Sequence, residues 1–369
     1  MLISDICSAF ERIAPLHLAQ DWDNVGLLAG DERADCRRLL LCIDLTHDVL
    51  DEAVAGGCHM IMAYHPPVLR PITSLRAASP ATDAILWRAI RENIAVYSMH
   101  TALDAAPGGT NDVLAGLCAA RDLRPFEYSE GPAAQCKIVV FVLANEADRV
   151  AGAMAAAGAG VIGAYTRCSF RIPGTGTFLG GEGAAPAVGE VGRYETVDEI
   201  RLEMIAPRTR LPEILAAMRA HHSYEEPAFD IYPLIAPPRA GIGRIGRLEP
   251  PVLLQQLADR LRGAVGAACV LQVGAGDSRI ERVAVCAGSA GSLVAPLPLA
   301  AGDCVVTGEL GHHIALALQR RGASAVVLGH WASERPVLAE LQRRLTRDLA
   351  SVEVRISRRD RDPFDARGA

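Results

Sequence analysis

The sequence predicts a discontinuous α/β domain interrupted by a ferredoxin-like α+β insert, and three observations carry that reading. Strand and helix signals alternate through residues 1–133 and again through 237–369. Residues 134–236 follow another order: strand, helix, strand, strand, helix, strand. Turn-forming clusters mark both joins, Ser129-Glu130-Gly131-Pro132 and Pro237-Pro238-Arg239-Ala240-Gly241.

Each element follows from local pattern. In the first segment the apolar runs 38–44, 60–64 and 94–98 have strand length, and their lack of alternation fits parallel strands buried on both faces. Helices are expected at 48–55, 81–92 and 112–120; the second puts Ile85, Leu86 and Ile90 on one face and Arg88, Arg91 and Glu92 on the other. In the insert, strands are expected at 137–144, 199–205 and 228–233, with a further one inside the glycine-rich stretch 171–192, and helices at 146–157 and 211–221. The last segment reads as strands at 282–287, 303–307, 325–329 and 352–356, with helices at 252–261, 311–319 and 335–344.

At 369 residues the chain exceeds one ordinary core, so two or three domains are expected. Half of the residues are hydrophobic and 22% charged, the balance of a soluble globular protein. No apolar run approaches the ~18 residues of a membrane-spanning helix. The N-terminus, Met1-Leu2-Ile3-Ser4-Asp5, lacks the basic region of a signal peptide, so cytoplasmic residence is expected. The ten cysteines are scattered without a CxxC pair, which argues against a disulfide framework or a cysteine-rich zinc site. A net charge of −6 argues against a general nucleic-acid surface. Lys137 is the single lysine, so the arginine content matches the codon bias of a GC-rich genome and is no phosphate-binding signal.

Four motifs place histidines and carboxylates just past expected strands: Tyr64-His65-Pro66-Pro67, His100-Thr101-Ala102-Leu103-Asp104, Glu309-Leu310-Gly311-His312-His313 and His330-Trp331-Ala332-Ser333-Glu334. Open parallel sheets bind ligands beyond the carboxyl ends of their strands. Imidazole nitrogens and carboxylate oxygens together suit borderline divalent metals. A metal site assembled from both ends of the chain is therefore expected. The His100/Asp104 and His330/Glu334 pairs share a spacing that, on a helix, turns both side chains toward one point.

Plainer alternatives exist for each residue. His65 is also a turn histidine before two prolines, and Asp104 a helix cap, although Thr110 or Asn111 is the better cap for helix 112–120. Glu334 is also a first-turn helix carboxylate. His312 and His313 read as a solvated first turn, with His313 at i+4 from Glu309 and so placed for a substrate contact. His221 and His222 read as structural residues at a helix C-terminus, and His17, His47 and His59 have no convergent partner. The segment 286–292 either offers backbone amides to an anion or forms a tight turn; it lacks GxGxxG and the Walker lysine. The segment 21–28 reads only as a loop entering a strand.

At these residues the chain resembles the Nif-three-like dinuclear metal-centre family, also labelled GTP cyclohydrolase 1 type 2 homologues. The resemblance covers nearly the whole length and rests on segments 21–28, 64–67, 100–112, 307–313 and 329–335. In the insert, Gly174-Thr175-Gly176-Thr177-Phe178 and Tyr224-Glu225-Glu226-Pro227-Ala228 look like the inserted domain of the longer members, which is similar in fold to PII signalling proteins. The resemblance implies two divalent metal ions per subunit, held by His65, Asp104, His330 and Glu334, with Asp104 or Glu334 bridging. It places His100 beside the metals as a catalytic group, and Glu309 and His313 are the expected substrate contacts. Tyr64 stands where many bacterial members have a histidine ligand; other members share the Tyr-His form. Zinc, iron, manganese, cobalt and nickel all suit such ligands. Family members form hexameric rings, so a homohexamer is implied.

The implied activity is metal-dependent hydrolysis of a nucleotide or related small molecule, with paired ions acidifying a water and His100 or His313 moving its proton. The alternative is a non-enzymatic metal-binding regulatory or scaffold protein, which the PII-like insert favours by fold analogy. Neither membrane nor nucleic acid is an expected partner.

Overall fold

In the computed structural model, which describes residues 1–78, 82–128, 135–234 and 240–364, alternate side chains of the apolar strands enter different cores. The chain forms two units, Met1–Glu130 with Pro238–Ala369, and Gly131–Pro237. Both expected breaks, and the boundaries read at 133/134 and 236/237, lie wholly or partly outside the described residues.

The larger unit holds two sheets with parallel centres. In the first, Arg38–Cys42, Met60–Ala63 and Ala95–Ser98 are parallel neighbours, Gly26–Ala29 pairs antiparallel on one edge, and Glu353–Ile356 pairs parallel on the other. Leu39, Leu41, Met60 and Met62 face a central cluster that includes Ile3, Ile6 and Phe10. Leu40, Cys42, Ile61 and Ala63 face outward onto Val49, Leu50, Ile85 and Leu86 of helices His47–Ala55 and Thr82–Arg91. Both faces are dry, so the strands need no polar alternation.

The second sheet repeats the device. Arg279–Ser289, Asp303–Glu309 and Ser324–Val327 are parallel, flanked by antiparallel Leu271–Val273 on one side and by Arg244–Leu253 and then Arg121–Arg124 on the other. Ala284, Val305 and Ala325 face the same central cluster. Val283, Val285, Val306 and Val326 pack on Leu254, Leu257 and Leu261 of helix Leu254–Val265. One core thus lies between the two sheets, and the strand ends of both reach the same region.

Besides the edge strands Arg121–Arg124 and Leu271–Val273, a helix and a longer strand depart from the sequence expectation. Helix Ile3–Ile13 buries Ile3, Ile6, Ala9, Phe10 and Ile13, a helical period visible in the sequence. Strand Arg244–Leu253 carries Pro250 and Pro251, residues that argue locally against a strand. The helix expected at 112–120 runs over Thr110–Leu117.

The smaller unit has strands Gln135–Leu143, Phe170–Leu179, Tyr194–Pro207 and Phe229–Leu234, with helices Ala147–Ala156 and Leu211–Ala220. The sheet is antiparallel, with its first and third strands in the middle, the ferredoxin-like order. Ile138, Val140, Leu202 and Met204 pack against Val150, Met154, Ile214 and Met218 of the helices. No disulfide forms among the described residues, and none of their helices is long and apolar enough to cross a membrane.

Candidate metal centre

The site begins with two parallel strands, one from each sheet. Met60–Ala63 delivers Tyr64 and His65, and Ser324–Val327 leads through Leu328 and Gly329 into the short helix His330–Glu334. The His65 and His330 ring centroids stand 5.4 Å apart although 265 positions separate them in sequence. Between them Glu334 is 3% exposed. Its Oε2 lies 3.3 Å from His65 Nε2 and its Oε1 3.3 Å from His330 Nε2.

The other ring nitrogens are committed elsewhere. His65 Nδ1 lies 2.9 Å from Asp44 Oδ1, and His330 Nδ1 3.3 Å from Glu309 Oε1. An imidazole whose Nδ1–H is held by a carboxylate presents Nε2 as a metal ligand in a fixed tautomer. Two Nε2 atoms therefore converge on one buried carboxylate.

Electrostatics follow from this crowding. Burial disfavours charge on His65, but Asp44 and Glu334 outweigh it and lift its pKa to about 10. Glu334 lifts His330 to about 9 against its burial. Burial works to raise the Glu334 pKa, and the two imidazoles reverse it, holding the carboxyl below its usual value. Protons thus supply the positive charge that a divalent ion would supply in their place.

The residues fit such an ion. His65, His330 and Glu334 each offer one ligand atom, and these lie within 4.8 Å of one another. Glu334 Oε2 is buried without a hydrogen bond among the described residues, a state that costs free energy unless a cation satisfies it. Gly288, at φ 63°, leaves the approach open: a Cβ there would stand 2.5 Å from Glu334 Oε1 and 3.3 Å from His330 Nε2.

Asp104 lies outside that three-residue group. Its Oδ1 accepts a hydrogen bond from the buried Tyr64 hydroxyl, which also receives Thr110 Oγ1 at 3.3 Å. Burial and the Glu334 charge raise the Asp104 pKa to about 6, and burial and the Asp104 charge push the Tyr64 phenol well above its ordinary value. Spacing alone would aim His100 and Asp104 at one point; here the helix His100–Ala105 sends them to different partners. His100 Nδ1 lies 2.8 Å from Asp23 Oδ1, and its ring centroid is 5.3 Å from that of His65. Burial would raise the Asp23 pKa, yet hydrogen bonds from His100 and Thr101 hold it below the usual value.

Several local readings change. Thr110 and Asn111 do not cap helix Thr110–Leu117: Thr110 meets Tyr64, and Asn111 joins Asp104 O to the Ala287 amide at 3.0 and 2.9 Å. The 287 and 288 amides, a candidate anion nest, are taken by Asn111 and Ser333. Glu309 precedes helix His312–Arg320, so i+4 geometry does not apply; it turns to His330, while His313 is exposed beside His312. His222 is structural, its Nε2 2.8 Å from Phe141 O. Asp23, in a segment that carries the family resemblance but no expected role, orients His100. Asp44 and Asp360 lie outside every candidate motif of the sequence. Asp360 holds Trp331 Nε1 at 3.1 Å and Arg335, thereby anchoring helix His330–Glu334 from behind.

Comparison with known proteins agrees with this architecture. A family model described as Duf34/NIF3 (NGG1p interacting factor 3) matches residues 1–363. A Mycobacterium tuberculosis protein named GTP cyclohydrolase 1 type 2 homolog is 38% identical, covering 98% of this chain and 96% of its own. One of the same name from Halalkalibacterium halodurans is 34% identical, with 97% of each chain covered. The crystal structure of a Bacillus cereus protein related to NIF3 superposes with a TM-score of 0.78 at 30% identity, covering 99% of both chains. Staphylococcus aureus protein SA1388 shares the fold, with a TM-score of 0.79 at 23% identity and 99% of both chains covered. A chain matched end to end by this family, with relatives this similar, is a member of the DUF34/NIF3 family.

Proposed function

We propose that the protein is a metal-dependent hydrolase of a nucleotide or related small molecule, with two divalent ions held by His65, Asp104, His330 and Glu334. The observation that carries the reading is Glu334, a buried carboxylate without a directed hydrogen bond on Oε2 and with an imidazole Nε2 on either side. Divalent ions held there would polarise a phosphoryl or carbonyl oxygen and would acidify a water toward neutral pH. The chain's own residues do the rest. Asp44 fixes the His65 tautomer through a hydrogen bond, and Glu309 faces His330 Nδ1 at 3.3 Å. Tyr64 and Thr110 orient the Asp104 carboxylate. His100, held through Nδ1 by Asp23, keeps Nε2 available to accept or deliver a proton. Glu309, exposed beside His330, and the exposed His313 are the substrate contacts in this reading.

The name of the relatives points to GTP as the first substrate to assay. Metal-loaded protein is expected to hydrolyse a member of a nucleotide and phosphoester panel, and Asp104→Ala to abolish turnover with its circular dichroism unchanged. Metal binding without turnover across the panel would leave a metal-binding regulatory or scaffold protein instead. That second reading draws support from the inserted unit, whose surface has a ligand-sized cavity. We further propose cytoplasmic residence and a homohexamer.

A further inference from the structure

We propose that the inserted unit carries a ligand site of its own, a cavity on the helix-free face of its sheet that takes a small amphipathic organic cation. The cavity measures about 590 Å³, within the range of small-molecule sites. It unites the two motifs of the insert that the metal centre leaves unused. Gly174 to Phe178 line one side, and Tyr224, Glu225, Glu226 and Ala228 another.

Sheet alternation explains the location. Ile138, Val140, Leu202 and Met204 point into the helices, so Phe141, Glu199 and Arg201 point to the opposite face. Cross-strand pairing sets Ile172 beside Arg201 and Gly174 beside Glu199 on that face. Glycine makes the space. A Cβ on Gly174 would meet nothing within 4 Å, whereas one on Gly176 would collide with the Glu199 carboxylate. The segment over the cavity is tied down, since the Ala185 amide donates to Glu225 Oε1 at 3.0 Å.

Charge decides the class of ligand. Glu199, Glu225 and Glu226 line the cavity, with Arg201 as the one opposing cation among its lining residues. Arg201 is already engaged, its Nε donating to Glu203 Oε1 at 2.9 Å. Glu199 is held in place by the Tyr224 hydroxyl, which donates to Oε1 at 2.7 Å, while Oε2 is turned to side-chain-free Gly176. Phe141 and Ile172 supply an apolar wall. An alkylammonium matches both halves: its head pairs with Glu199 in a charge-assisted hydrogen bond, and its chain covers the apolar wall.

Isothermal titration of the full chain with n-hexylammonium, n-hexanoate and n-hexanol tests this. Hexylammonium should bind saturably with a Kd of about 1 mM or tighter, as expected for a ligand of this size. Glu199→Gln, which keeps an acceptor for Tyr224, should weaken it about tenfold. Gly174→Phe, which fills the cavity and leaves every carboxylate in place, should abolish it. The proposal is overturned by no saturable hexylammonium binding up to about 10 mM, by hexylammonium binding that Gly174→Phe leaves intact, or by hexanoate binding equally tightly and lost in Gly174→Phe.

Discussion

Asp44 is not one of the three grouped ligand residues, yet it decides which nitrogen His65 presents. Asp44→Asn should lower divalent-metal affinity by about 10–100-fold, read by chelator competition. The imidazoles also set a pH dependence. His65 and His330, lifted to about 10 and about 9, bind protons in the metal-free folded state that the unfolded chain releases near its ordinary 6.5. Their stabilisation is complete below about pH 6.5 and is lost as pH rises through 9 and 10. Metal-free protein should therefore lose thermal stability between pH 7 and pH 9.5. Metal-loaded protein should not, because its ligands are already deprotonated; melting curves with and without chelator check this. His65, His330 and Glu334 were legible in the sequence because metals demand those residue types. Asp44 and Asp23 were not, since an ordinary aspartate acquires its role only from partners 21 and 77 positions away.

Elements hold the two halves of the site in register. Arg244, at the start of strand Arg244–Leu253 and 2% exposed, donates to Asp112 and to the Ala106 and Gly241 carbonyls. It thus ties the second sheet to the end of helix His100–Ala105. Arg244→Ala strands the Asp112 carboxylate and those carbonyls, and should cost about 3 kcal/mol, seen as a lower urea midpoint. The parallel central strands of both sheets were legible because strands buried on both faces are nearly all apolar. Strand Arg244–Leu253 was hidden because its prolines and charges are tolerated only by its place between Arg279–Ser289 and a short edge strand. Helix His330–Glu334 is five residues long and is held from outside by Asp360, so no local period could announce it.

For the whole molecule, the motifs required the chain ends to meet, and the route is now plain: Glu353–Ile356 returns to pair with Arg38–Cys42, and a single core serves both sheets. Strand partnership over such a distance leaves no local mark in sequence. Assembly belongs to this scale as well. Light scattering should give six times the 39.1 kDa chain mass for the proposed homohexamer; a monomer would remove that part of the account. All of this depends on one metal centre built from both ends of the chain. Its most direct test is an anomalous-difference map from metal-loaded crystals. A peak is expected about 2.0–2.2 Å from both His65 Nε2 and His330 Nε2 or bridged between them by Glu334. A loaded crystal with no peak at these three residues, or with its metal bound elsewhere, would contradict it.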